Sequence, residues 1–249
     1  MRTASFAIVA GLATALTANA GGVLFDNGGM ITHPGAGAGG LNVSMASPGA
    51  LNLAGSNVRQ IPGDPGFRMA DDFTVSGNWI VNSITVFAYE TNAAVPTWTG
   101  ANMNIWSGRP GDAGSAILDT FMAPTVAQTD IYRVFNGLAN LTNTQRRVNS
   151  LTFDLGGMNL GAGTYWIDWQ VIGNGSGWAP FVMLPDPTGG AATTTVLGNG
   201  RQMTNLGVWQ DIAGVDGPLE LPFIVTGIPS PGAAALLGIA GLVGARRRR

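Results

Sequence analysis

Residues 164–171 read TYWIDWQV. Successive side chains of an extended chain point to opposite faces. Tyr165, Ile167, Trp169 and Val171 therefore share one face, and Thr164, Trp166, Asp168 and Gln170 share the other. Aromatic and β-branched residues at every second position predict a strand with one face in a core. The same period places Leu151, Phe153 and Leu155 on one face of VNSLTFDL. It places Leu219, Leu221, Phe223 and Val225 together in LELPFIVTG. No segment between Gly21 and Gly227 carries a convincing helical period; alternation stands in its place.

Further strands are predicted at residues 23–26, 72–75, 79–90, 103–106, 117–122 and 131–135. Between them lie turn signals such as VSGN, SGRPGDAGS, GGMNLGAG and PDPTGG. The 38 glycines and 14 prolines supply these turns. About ten short strands at such spacing predict an all-β fold, a β-sandwich or jelly-roll-like body over residues 21–227. The chain contains no cysteine, which excludes disulfides, thiolate metal sites and cysteine nucleophiles.

The two ends differ from the body. MRTASFAIVAGLATALTANA, residues 1–20, has a basic start at Arg2, an apolar run and an Ala-Asn-Ala ending. That is the three-part pattern of a secretory signal peptide, with a helical apolar run. At the other end, Pro229 and Pro231 precede an apolar stretch of residues 232–245 and then Arg246, Arg247, Arg248 and Arg249. The stretch is short for a stable membrane span, which needs about 20 residues. The arginines stay on the cytoplasmic side while the body sits outside. Residues 228–249 are thus expected to form a short transmembrane-like helix that touches the membrane transiently. Removing both ends takes five arginines and leaves seven against 14 acidic residues, a net charge of about −7. That balance argues against nucleic-acid binding, which needs basic patches.

The tail resembles the PEP-CTERM sorting domain of Gram-negative bacteria, in a planctomycete-like variant. Pro229 and Pro231 match the two prolines of its motif, and Ser230 stands where the family usually has Glu. The resemblance covers residues 228–249 alone. It implies processing by an exosortase, a membrane transpeptidase, followed by delivery to the cell surface or extracellular matrix.

Candidate chemistry in the body is sparse. GAGAGG, residues 35–40, fits the spacing of a dinucleotide loop but lacks the strand before it and the helix after it. It is expected to be a loop in the least ordered part of the body. His33, the single histidine, falls in the same loop, and no G-x-S-x-G elbow is present. One histidine without cysteine makes a zinc site improbable. Asp71 and Asp72, adjacent at an expected strand start, point to opposite faces. Three readings follow: a turn whose Asp accepts backbone N–H groups, a pair with Arg68, or a calcium site through these oxygens. Trp166, Asp168 and Gln170 share a strand face, an arrangement suited to gripping a sugar if that face is open and to packing if it is covered. The alternation predicts Asp168 and Gln170 outside the core.

The expectation is an exported, non-enzymatic structural or adhesive module that needs no cofactor, with calcium left open and an extracellular polysaccharide as partner. The alternatives are a secreted carbohydrate-active hydrolase or a calcium-dependent sugar-binding module. A hydrolase needs two carboxyl groups facing each other across a cleft, about 5–10 Å apart.

Overall fold

In the computed structural model the alternating segments are strands of an all-β body. The structure describes residues 21–45, 55–61, 63–93, 95–134, 138–185, 194–212 and 217–230. The expected leader (1–20), Pro231 and Arg246 to Arg249 lie outside the described residues. In chain order the strands are β1 (Gly22–Asp26), β2 (Asn42–Met45), β3 (Ser56–Asn57), β4 (Arg59–Gln60), β5 (Arg68–Val75) and β6 (Asn78–Tyr89). There follow β7 (Gly100–Trp106), β8 (Ile117–Met122), β9 (Thr125–Val134), β10 (Arg147–Leu160), β11 (Gly163–Ile172) and β12 (Trp178–Ala179). The last are β13 (Met183–Leu184), β14 (Thr194–Thr195), β15 (Arg201–Met203), β16 (Trp209–Asp211) and β17 (Phe223–Ser230). The only helical pieces among the described residues are two 3-10 turns, Ala38–Gly40 and Leu138–Asn140. No helix among them is long and apolar enough to cross a membrane.

Two sheets share one core. The first runs β1-β17-β6-β10-β9-β2, with β12 and β3 attached through β6. The second runs β16-β15-β5-β11-β7-β8, with β4 beside β11. Every second residue of the central strands faces the gap between the sheets. From the first sheet come Ile84, Val86, Leu151, Phe153, Phe223 and Val225; from the second come Met69, Phe73, Met103, Ile105, Ile167 and Trp169. All are buried, each stabilising the fold by about 1.5–3 kcal/mol relative to exposure. Phe73 stacks on Trp79 at 6.2 Å and meets Phe223 edge-on at 6.2 Å, tying the sheets together. β1 pairs antiparallel with β17, so both ends of the body lie side by side in one sheet.

Several strand boundaries differ from the sequence reading; β7 begins at Gly100 and β9 at Thr125, ahead of the predicted starts at residues 103 and 131. β5 starts at Arg68, so Asp71 and Asp72 stand mid-strand opposite Ile167 and Trp166, not in an entry turn. GGMNLGAG is only partly a turn. β10 continues through Leu160 across a bulge in which Asp154 to Met158 face only Ser83 to Val81. Gly156 and Gly157 take positive φ there, which glycine adopts without steric cost. The last strand runs past Gly227, and Pro229 and Ser230 pair with Trp79 and Asn78. β1 stops pairing at Gly227, leaving this stretch of β17 as a sheet edge, where proline is tolerated.

Candidate functional site

The face of β11 that carries Trp166, Asp168 and Gln170 is closed, the covered alternative of the sequence reading, while Asp168 and Gln170 stand on the face away from the apolar core between the sheets. All three residues are buried, Asp168 completely. The alternation itself holds, because Ile167, Trp169 and Val171 belong to the core between the sheets and Tyr165 packs against it. Antiparallel pairing sets Asp168 between Ala70 of β5 and Asn104 of β7. Arg68 forms a salt bridge with Asp168 Oδ1. Asn104 Nδ2 donates to both carboxylate oxygens at 3.1 Å, and Trp106 Nε1 donates to Oδ2 at 2.5 Å. Arg68 Nη1 continues the seam to Asn102 Oδ1 at 2.6 Å. Gln170 Nε2 donates to Gln60 Oε1 at 2.8 Å.

The β7–β8 connection, residues 107–116, lies over this seam. Arg109 sits 5.8 Å from the centre of the Trp166 ring and forms an ion pair with Asp211 of β16. Arg201 donates to the carbonyl of Pro110, and Trp209 meets Trp106 edge-on at 6.3 Å. At Gly111 a Cβ would come within 2.8 Å of the Trp209 Cβ, so the loop approaches that ring closely only as glycine. Trp166 therefore presents no open aromatic face, and the oxygens of Asp168 are committed to protein donors.

Asp71 and Asp72 diverge as the strand period requires. Asp71 faces the core side of β5 and is wholly buried. Its Oδ2 accepts from Leu221 N at 2.7 Å and Asn27 Nδ2 at 3.2 Å, and its Oδ1 from Asp72 N at 2.8 Å. Asn27 Nδ2 also reaches Glu220 Oε1 at 2.7 Å, so one amide bridges two carboxyl groups. Burial pushes the Asp71 carboxyl well above the usual carboxylate range, with the charge of Glu220 adding to it. Glu220 is raised as well, by burial first and by Asp72 in addition. Asp72 accepts from Asn199 Nδ2 at 2.7 Å. Arg68 is engaged with Asp168 rather than with either aspartate. Of the three readings for this pair, the backbone-capping contact is present. Among the described residues no group of three or more His, Asp or Glu side chains is arranged to hold a metal ion.

His33 is buried rather than displayed on a loop, with Nδ1 3.0 Å from Thr32 Oγ1. Its backbone exchanges hydrogen bonds with Val43 of β2. Gly35 to Gly40 precede a strand and no helix, which fits a loop.

A cleft of about 540 Å³ opens between the sheets, under the two-residue crossover from β8 to β9. The sequence reading did not identify it. Its walls include Val95, Pro96, Trp98, Val126 and Leu151, with Asn149, Gln128 and Thr99 as polar members and no charged side chain among the described residues. Asn149 stands two residues before Leu151 on the inward face of β10 and is 2% exposed. Its Nδ2 donates to Arg147 O at 3.0 Å. Its Oδ1 has no hydrogen-bond partner among the described residues. A signal for it exists in VNSLTFDL: a polar residue on the same face as Leu151, Phe153 and Leu155. A second groove, on the first sheet, includes Met30, Phe87, Ile131 and Val182, with Asp26 as its only carboxylate among the described residues.

No protein-family model matches the chain, and no curated protein matches it.

Proposed function

We propose that this chain is an exported, non-enzymatic β-sandwich module of jelly-roll type, sorted through its C-terminal segment to the cell surface or extracellular matrix, with an extracellular polysaccharide as partner. One observation carries the non-enzymatic reading. The buried carboxylates Asp71 and Asp168 are sealed by protein hydrogen bonds, and no carboxylate lines the cleft between the sheets among the described residues. Acid–base hydrolysis of a glycosidic bond requires two carboxyl groups flanking an accessible substrate. Asp71 and Glu220 are close, but Asp71 is without solvent contact and lines neither the cleft nor the groove.

The pairing of β1 with β17 supports the sorting reading. The expected leader and the expected tail leave the body from one end of one sheet, near Gly22 and Ser230. An exosortase-type enzyme acting at Pro229, Ser230 and Pro231 would cut at the end of a sheet-edge strand, leaving the core pairing intact. Mass spectrometry of the native surface-associated protein tests this. Chains ending near Ser230 are expected, and chains that retain Arg246 to Arg249 would refute it. Incubation with neutral polysaccharides and assay of reducing ends tests the non-enzymatic part, with no release expected.

A further inference from the structure

We infer that the cleft between the sheets is a binding site for a neutral sugar residue, with Asn149 Oδ1 as the acceptor for one of its hydroxyl groups and Trp98 as its aromatic wall. This deepens the polysaccharide-binding reading and rests on it.

The first ground is the orphaned acceptor. The large majority of buried side-chain polar atoms in folded proteins are hydrogen-bonded, so an exception asks for a partner. The orientation of the Asn149 amide is fixed, because Nδ2 is the only atom of the group able to donate to the Arg147 carbonyl. Oδ1 is therefore the free end, itself closed to solvent, and a group that satisfies it from the cleft that Asn149 lines must bring an O–H or N–H donor.

The second ground is that the cleft is open where a sandwich is normally shut. Val126 pairs with Leu151 and Gln128 with Asn149 across β9 and β10. Directly opposed residues share a face, so Val126 and Gln128 are inward positions. Leu151 is nevertheless fully buried while Val126 is 46% exposed. The gap between the sheets is thus accessible from the β9 side. Its volume, about 540 Å³, falls within the range of small-molecule sites, about 300–1,000 Å³.

The third ground is a wall held in place before any ligand arrives. Trp98 Nε1 donates to Ser176 O at 2.8 Å. Thr97 is latched by Glu90, which accepts from Thr97 N at 2.7 Å and from Thr97 Oγ1 at 2.9 Å. Thr99 N reaches Ile172 O at 2.8 Å. Such preorganisation lowers the ordering cost of binding. Largely apolar walls with an indole, the neutral polar side chains of Asn149, Gln128 and Thr99, and no charge among the described lining residues select a neutral ring that has C–H faces and hydroxyl edges. A pyranose has that chemistry, and an acidic sugar would find no counter-charge.

The test uses the full chain, titrated with methyl glucoside, methyl galactoside and methyl mannoside, and with hyaluronan as the acidic comparison. Tryptophan fluorescence and the side-chain amide resonance of Asn149 are the readouts. Saturable binding of at least one neutral glycoside is expected, with the Asn149 resonance shifting and hyaluronan inert. Asn149→Leu should weaken binding at least tenfold, and Val126→Trp, at an exposed position, should block the cleft without disturbing the core. Binding that persists in both variants would place the sugar elsewhere and overturn the inference. So would preference for hyaluronan. So would the absence of any response to all three glycosides at tens of millimolar, which would leave water as the partner of Oδ1. Surface delivery and C-terminal processing are read separately, so failure here leaves the sorting reading standing, and the reverse also holds.

Discussion

Replacing Asp168 with Ala tests the seam beneath the β7–β8 loop. The change removes the carboxylate that faces Arg68 and leaves the Arg68 guanidinium, about nine-tenths buried, without a counter-charge. Breaking a buried pair by deleting one partner costs about 3–5 kcal/mol, because the remaining charge stays desolvated. Asn104 Nδ2 and Trp106 Nε1 lose an acceptor at the same time, so the upper half of that range is expected. For a body of roughly 200 residues each kcal/mol moves the midpoint by about 2–4 °C, which gives a fall of roughly 8–20 °C. Asp168→Asn keeps one acceptor oxygen and should cost less. The double variant Arg68→Met with Asp168→Leu removes both charges and should be less damaging than the sum of the two singles. Urea unfolding of the wild type, Asp168→Ala, Asp168→Asn, Arg68→Met, Asp168→Leu and the double variant, at low salt and at 1 M NaCl, is the assay, since a buried pair is screened little. A loss below 1 kcal/mol for Asp168→Ala, or strict additivity in the cycle, would refute the account of a committed, structural aspartate.

The carboxyls of Asp71 and Glu220 are raised in the folded state, so the native protein binds more protons than the unfolded chain in the range above pH 4. Their contribution is full below the ordinary carboxylate values and is lost as pH rises through the raised ones; a urea midpoint that fell from pH 5 to pH 8 would agree, and one that rose steadily would not. Addition of millimolar calcium or EDTA is expected to leave the melting midpoint within about 1 °C, because three N–H groups occupy the Asp71 oxygens and Asp72 points to the other face. A rise of several degrees, abolished by Asp71→Ala or Asp72→Ala, would restore the calcium reading. Gly175→Ala would bring a methyl group within 2.0 Å of Glu90 Oε1 and should release the Thr97 latch, lowering the midpoint by several degrees and, with it, the response to glycosides. Phe73→Ala, at the centre of the aromatic cluster, should cost about 3–5 kcal/mol in urea unfolding.

Local alternation was enough to read the strands and their inward faces, because a strand's period of two is a property of its own backbone. It assigned Ile167 and Trp169 to the core and Asp71 and Asp72 to opposite sides. It also contained Asn149, since any inward set that includes Leu151 and Phe153 must include position 149. What alternation left unread was the meaning of a polar residue there, because that depends on whether the opposite sheet closes over it. The β5 boundary was missed for a related reason. Arg68 to Asp71 look polar in part and break the apolar pattern, yet they extend as strand because β11 pairs with Met69 to Asp71 and β15 with Arg68 to Ala70.

The sequence by itself determined an all-β body without thiol chemistry and the side to which each strand residue turns. Tertiary structure alone decided which of those sides is open. Trp166 and Asp168 are covered by a loop and by Arg68, a residue 100 positions away from Asp168, and Gln170 is bonded to Gln60 of β4. Val126 and Asn149, inward by register, border a gap that the crossover from β8 to β9 leaves unfilled. The physical reason is one of range. Side-chain direction follows from dihedral angles a few residues long, whereas burial is set by what distant segments place against that side, and no local period encodes it.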